Sequence, residues 1–202
     1  MPPASQSSLS EPPEQLQLAE APFDDAKADL ILRSSDVVPV HFRVFKIILS
    51  LASPIFADMF NIPSPASPPS QNPHDDVQVV LLSEHSTALD IALRHIYPIR
   101  RPLPSKGDNL HYARIFAEFA QKYEVEVLDQ TIIEYLEGSL ERDPVGVYSI
   151  AVTYGYNNIG GDAARSCLNL PFHDLRSPYS SCATVEHISE LFMYHAACGQ
   201  AA

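Results

Sequence analysis

The sequence predicts an α+β protein in which a small three-stranded sheet packs with a cluster of helices and is followed by further helices. Three observations carry this. Leu30 to Leu32 is a short apolar run, closed by Ser34, Ser35 and Asp36, and it is followed by an alternation that puts Val40, Phe42 and Val44 on one face. Two paired strands joined by a turn fit that pattern. After Lys46 the period lengthens to about 3.6, because Ile48, Ala52, Ile55 and Met59 recur at helical spacing while Leu49, Phe56 and Phe60 widen the apolar face. Val77 to Leu82, a continuous run VQVVLL, then supplies a third strand expected to be largely covered on both faces.

The helices can be placed by their punctuation. Pro54 lacks an amide hydrogen and pushes Ser53 out of helical dihedrals, so Ser53 is expected to cap a second short helix with Pro54 in its first turn. Ser83 to Ser86 offers caps for a helix carrying Leu89, Leu93, Ile96 and Tyr97, which Pro98 stops. Tyr112, Ile115, Phe116, Phe119, Ala120 and Tyr123 define the next apolar face. Leu128, Ile132, Ile133, Leu136 and Leu140 define the one after it. Asp143 can cap a helix that has Pro144 at its first position and a face of Val147, Ile150, Ala151 and Tyr154. Gly160-Gly161-Asp162 reads as punctuation before a short helix over 163–170, Pro171 to Tyr179 as irregular, and Val185 to Ala197 as a last amphipathic helix.

The stretch from Asp29 to Phe60 resembles the first half of a BTB (POZ) domain. Asp29, Phe42, Val44, Lys46, Leu49, Ser53 and Phe56 stand where that family has Asp-apolar-x-apolar, a turn, Phe-x-Val-His-Lys-x-x-Leu and Ser-x-x-Phe. Phe45 departs from the pattern, since the family usually has His there. Ala120-Gln121-Lys122-Tyr123-Glu124-Val125 is similar to the family's Ala-Asp-Lys-Tyr-x-Val, whereas its Tyr-Thr-Gly phrase is missing near Pro98. The resemblance, to a fungal-type BTB domain with a short helical C-terminal extension, covers about 28–142. It implies the BTB/POZ fold over 23–142, with a proline-rich loop at 63–76 and a helical extension over 143–202.

The first 22 residues hold Pro2-Pro3, Pro12-Pro13 and Pro22 among Ser, Glu and Gln, and so are expected to be disordered. Gln15-Leu16-Gln17-Leu18 is the one alternation there that could add a strand, a point of interest because many dimeric BTB domains exchange an N-terminal strand. Pro63 to Pro73, PSPASPPSQNP, accepts neither a helix nor a central strand and reads as a surface loop. The net charge is -12, and no basic cluster is denser than Arg100-Arg101. Binding to a nucleic-acid backbone is therefore disfavoured. Cys167, Cys182 and Cys198 are odd in number and lie near the end of the chain, which points to a reduced, intracellular setting, cytoplasmic or nuclear. No run approaches the roughly 18 apolar residues of a membrane span, so no membrane partner is expected.

Chemical motifs are sparse. There is no Gly-x-Ser-x-Gly elbow and no phosphate loop ending in Gly-Lys-Ser/Thr. Asp24-Asp25 and Asp75-Asp76 read as solvated turns. Cys182, His187, His195 and Cys198 are ligand types that zinc accepts, but their spacing matches no justified site, and no metal or cofactor is expected. What the resemblance implies is a non-catalytic protein–protein interaction module that mediates homo- or hetero-oligomerisation. Its partner would be a second copy or another protein. In the family the helix pair corresponding to Lys46 to Phe60 commonly forms a homodimer face, which makes Phe45, Ile47 and Leu51 the candidate exposed anchors. Asp29 and Lys46 are the candidate charged pair, each expected to be partly buried. The alternative is a substrate adaptor that binds a cullin ubiquitin ligase through about Asp108 to Leu170, although no target-reading domain is evident. An enzyme of unrelated class is the third reading, and it would require polar groups converging in a deep pocket.

Overall fold

The structure, a computed structural model, describes residues 17–62, 77–99 and 109–200. Among them it is a mixed α+β protein with a four-stranded sheet and eight α-helices. Residues 1–16, the proline-rich stretch at 63–76 with Asp75-Asp76, and Arg100-Arg101 lie outside the described residues. The chain forms two compact units, one holding 17–45 and 77–89 and the other 46–62, 90–99 and 109–200.

The first unit is the sheet. Its strands are β1 (Gln17–Leu18), β2 (Leu30–Arg33), β3 (Val40–Val44) and β4 (Gln78–Leu81), in the order β1-β3-β2-β4. The β2–β3 hairpin is antiparallel, β1 runs parallel to β3, and β4 runs parallel to β2. Its register pairs Leu30 with Val44 and Leu32 with Phe42, so these four buried side chains share one face. Phe23 is also fully buried, its ring centroid 5.9 Å from that of Phe42.

The hairpin turn serves more than the hairpin. Ser34 Oγ accepts from the Val40 amide at 2.9 Å, and Ser35 Oγ donates to the Ser83 carbonyl at 2.8 Å. Asp36 Oδ2 accepts from the amide of Ser86 at 2.7 Å, the first residue of α3 (Ser86–Ile96). Ser34 thus closes the hairpin on itself, while Ser35 and Asp36 tie it to the start of a helix about fifty positions later.

Two expectations for the sheet are corrected. It has four strands rather than three, because Gln17–Leu18 pairs with β3 inside the stretch expected to lack order. And β4 is not covered on both faces. It is an edge strand, with Val79 46% and Leu81 70% exposed, so its unbroken apolar run does not signal burial on both sides.

The second unit is helical. It opens with α1 (Lys46–Ala52) and α2 (Pro54–Asn61), separated where the sequence predicts. Ser53 has extended dihedrals and accepts from the Phe56 amide at 3.0 Å, with Pro54 in the first turn. The same hydroxyl donates to the carbonyl of Tyr123, the last residue of α4 (Asn109–Tyr123). Above that bond the Phe56 ring stacks on Tyr123 at 4.7 Å and on Phe60 at 5.9 Å. α5 (Asp129–Glu137) packs on α4, where Tyr135 and Phe116 stack at 5.9 Å.

α6 (Pro144–Tyr154) is capped by Asp143, whose Oδ1 accepts from Gly146 at 2.8 Å. Every residue from Pro144 to Ala151 is buried, so this helix is enclosed on all sides instead of presenting the single face read from its sequence. It contacts α4, α5 and α7 (Asn157–Cys167). Gly160 and Gly161 lie inside α7, not at its entrance, which corrects their reading as punctuation. The reason is steric: a Cβ on Gly160 would stand 3.2 Å from Val152 Cγ1, so the absence of a side chain lets α7 approach α6 closely. Short 3-10 turns at Phe172–Asp174 and Pro178–Cys182 lead to α8 (Val185–Gln200), which is held by buried Leu191, a 3.0 Å bond from the Tyr148 hydroxyl to the His187 carbonyl, and the Phe172–Phe192 ring pair.

Candidate interaction surfaces

α1 turns Leu49 inward and leaves Ile47 and Leu51 in water, at 63% and 82% exposure. Four positions apart on a helix, the two stand one above the other and form a single apolar stripe. Of the three expected anchors, these two are therefore brought together. Phe45 is half-buried and belongs to the first unit, so it is not an exposed anchor. Asp29 and Lys46 fall in different units. Asp29 is exposed, contrary to the partial burial expected of it, and Lys46 is half-buried with Nζ 5.9 Å from the centroid of the Phe60 ring.

A second feature lies where α4 passes into α5. Val125 N–H reaches back to the Ala120 carbonyl at 3.0 Å, and Glu124 takes φ 51°, a left-handed conformation that glycine usually fills at a helix end. This turn borders a cavity of about 330 Å³. Ala117 and Ala120 line it, Tyr154 and Tyr156 flank it, and Glu124, Glu126 and Asp129 supply carboxylates. The Tyr156 hydroxyl donates to Asp129 Oδ1 at 2.8 Å. Burial first, and the bond to Asp129 second, push the Tyr156 phenol well above its ordinary value. The charge density around Asp129 is visible in the sequence; its juxtaposition with Tyr154 and Tyr156 is not, because the packing of α6 creates it.

The third feature is the sheet face opposite Leu30 and Phe42. Register places Ile31 and Arg33 of β2 beside Arg43 and His41 of β3 and beside Val79 and Leu81 of β4, with Leu18 of β1 next to His41. Leu18 is 49% exposed, and Ile31, Arg33, His41 and Arg43 are half-buried. None of these strand residues is acidic.

Among the described residues, no group of three or more His, Cys, Asp or Glu side chains is placed to hold a metal ion. His195, one of the zinc-type residues of the tail, instead has Nε2 2.8 Å from the Leu170 carbonyl. Burial, and then Asp143, raise the Cys167 thiol to about 11. Among the described residues no helix is long and apolar enough to cross a membrane. No protein-family model matches the sequence, and no curated protein matches it.

Proposed function

We propose that this chain is a protein–protein interaction module of BTB type, that it does no catalysis, and that α1 is its contact surface for a second copy. The observation that carries the reading is the stripe of Ile47 and Leu51, two branched aliphatic side chains left in water on a helix whose opposite side is buried. A hairpin, two short helices broken at Ser53-Pro54, a returning strand and the α4–α5 pair follow the order that the resemblance implies. Covering what is exposed of Ile47 and Leu51 is worth about 2 to 4 kcal/mol by area. That is a sufficient centre for a small interface when polar residues surround it.

The test is sedimentation equilibrium on the full chain and on an I47E/L51E variant. The parent should dimerise, and the variant should weaken the dimer by about 30-fold or more. A parent that stays monomeric at every concentration reached, or a variant with unchanged association, refutes the reading. The second reading is a cullin adaptor, favoured by one observation: α6 and α7 pack on α4 and α5 as a continuing helical layer. Capture of a cullin by the parent chain, lost when α7 is disrupted, would support it.

A further inference from the structure

We propose that the sheet face bearing Arg43 docks on the acidic α4–α5 turn of a second copy of this chain, with Arg43 entering the tyrosine-flanked cavity. Charge is unevenly spread along the chain. Residues 118–143 hold eight carboxylates against Lys122 and Arg142, so half of the chain's net charge of -12 lies in that stretch. That face of the sheet carries the opposite sign, with the half-buried Arg33 and Arg43 set among aliphatic side chains and no carboxylate within its strands. Glu20 and Asp29 lie just outside those strands. Each copy thus offers both a cationic apolar face and an acidic pocket, which is why a second copy is the occupant this charge pattern selects.

The cavity suits an arginine in particular. A guanidinium is planar, stacks on aromatic rings and donates bidentately to carboxylates, and here Tyr154 and Tyr156 stand beside Glu124, Glu126 and Asp129. Asp129 uses Oδ1 for the Tyr156 hydroxyl, which leaves Oδ2 to accept from a guest. Val79 and Leu81, 46% and 70% exposed on the edge strand, supply the apolar area that would be removed from water beside the charged contact. The two patches differ, so the contact is heterologous. It propagates from copy to copy, closing into a ring or extending as an open array. It uses neither Ile47 nor Leu51 and does not rest on the α1 reading.

Sedimentation velocity of the full chain over a concentration series, at low and at high salt, tests this. The expected result is a mass that grows with concentration at low salt and falls back as salt screens the contact. R43E and E126R should each weaken this association by at least about 30-fold. Mixing the two variants should restore a one-to-one complex, because R43E keeps an intact pocket and E126R an intact face. R43Q serves in place of R43E if the reversal impairs folding. An association unmoved by R43E, R43Q and E126R overturns the proposal, as does one insensitive to salt. Association abolished by I47E/L51E alone overturns it while supporting the α1 dimer; association abolished by R43E and E126R but not by I47E/L51E has the reverse meaning.

Discussion

Replacing Ser53 with alanine removes two bonds at one atom, and the cost can be worked from the structure. The hydroxyl accepts from the Phe56 amide at the start of α2 and donates to the Tyr123 carbonyl at the end of α4. Loss of a serine N-cap costs about 1 kcal/mol. Stranding a buried carbonyl costs about 1 to 3 kcal/mol more, and Ser53 is only 1% exposed, so water cannot easily take its place. The expected destabilisation is about 2 to 4 kcal/mol. For a chain of this length that lowers Tm by roughly 4 to 16 °C. Urea denaturation followed by far-UV circular dichroism measures it, and tyrosine fluorescence supplies a second probe, since the sequence has nine tyrosines and no tryptophan. S53G separates the two contributions, because glycine is nearly as good an N-cap as serine but cannot donate to Tyr123. It should recover only the cap share, about 1 kcal/mol of the loss. If S53A unfolds within about 0.5 kcal/mol of the parent, the double role assigned to Ser53 is wrong.

Three further outcomes follow from other positions. Burial alone would raise the Asp36 carboxyl, but hydrogen bonds from Ser34, from the backbone and side chain of Ser86 and from His85 outweigh it and hold the group below its usual value. A lowered folded value means stability present above the unfolded value of roughly 3.9 and lost as pH falls through the folded one. D36A should therefore cost about 1 kcal/mol near neutrality, with the gap from the parent closing below about pH 4 in acid-titrated melts. E124G should stabilise by about 0.5 to 1 kcal/mol in denaturant titration, because glycine relieves the positive φ. Cys167 is fully buried and burial raises its thiol to about 11, so it should react with iodoacetamide at least about 100-fold more slowly in the folded chain than when urea-unfolded, which peptide mass spectrometry can read.

Helix boundaries governed by local chemistry were legible in the sequence. Ser53-Pro54 and Asp143-Pro144 each combine a side-chain acceptor with a residue that has no amide to satisfy, and both cap the helices predicted for them. The β2–β3 hairpin followed from alternation, since Phe42 and Val44 can share a buried face only in an extended strand. Where the outcome depended on distant partners, local signals misled. Gly160-Gly161 reads as a break when taken alone, yet the Val152 side chain makes it a close helix contact. The VQVVLL run reads as doubly covered, yet β4 sits at an edge. For the candidate interaction surfaces, Ile47 and Leu51 could be named only because the resemblance implies a contact face on that helix pair; their exposure is what the structure adds. The cavity beside Asp129 could not, because Tyr154 and Tyr156 reach it only through the packing of α6.

The enclosure of α6 bears on how the chain can be divided. A fragment ending at Arg142 would uncover the sides of α4 and α5 on which α6 rests and expose the apolar residues there. Such a fragment should self-associate without specificity or fail to fold. Any folded fragment excised from this protein must therefore carry the following helices along, and a cut between α5 and α6 would leave neither piece with a closed core.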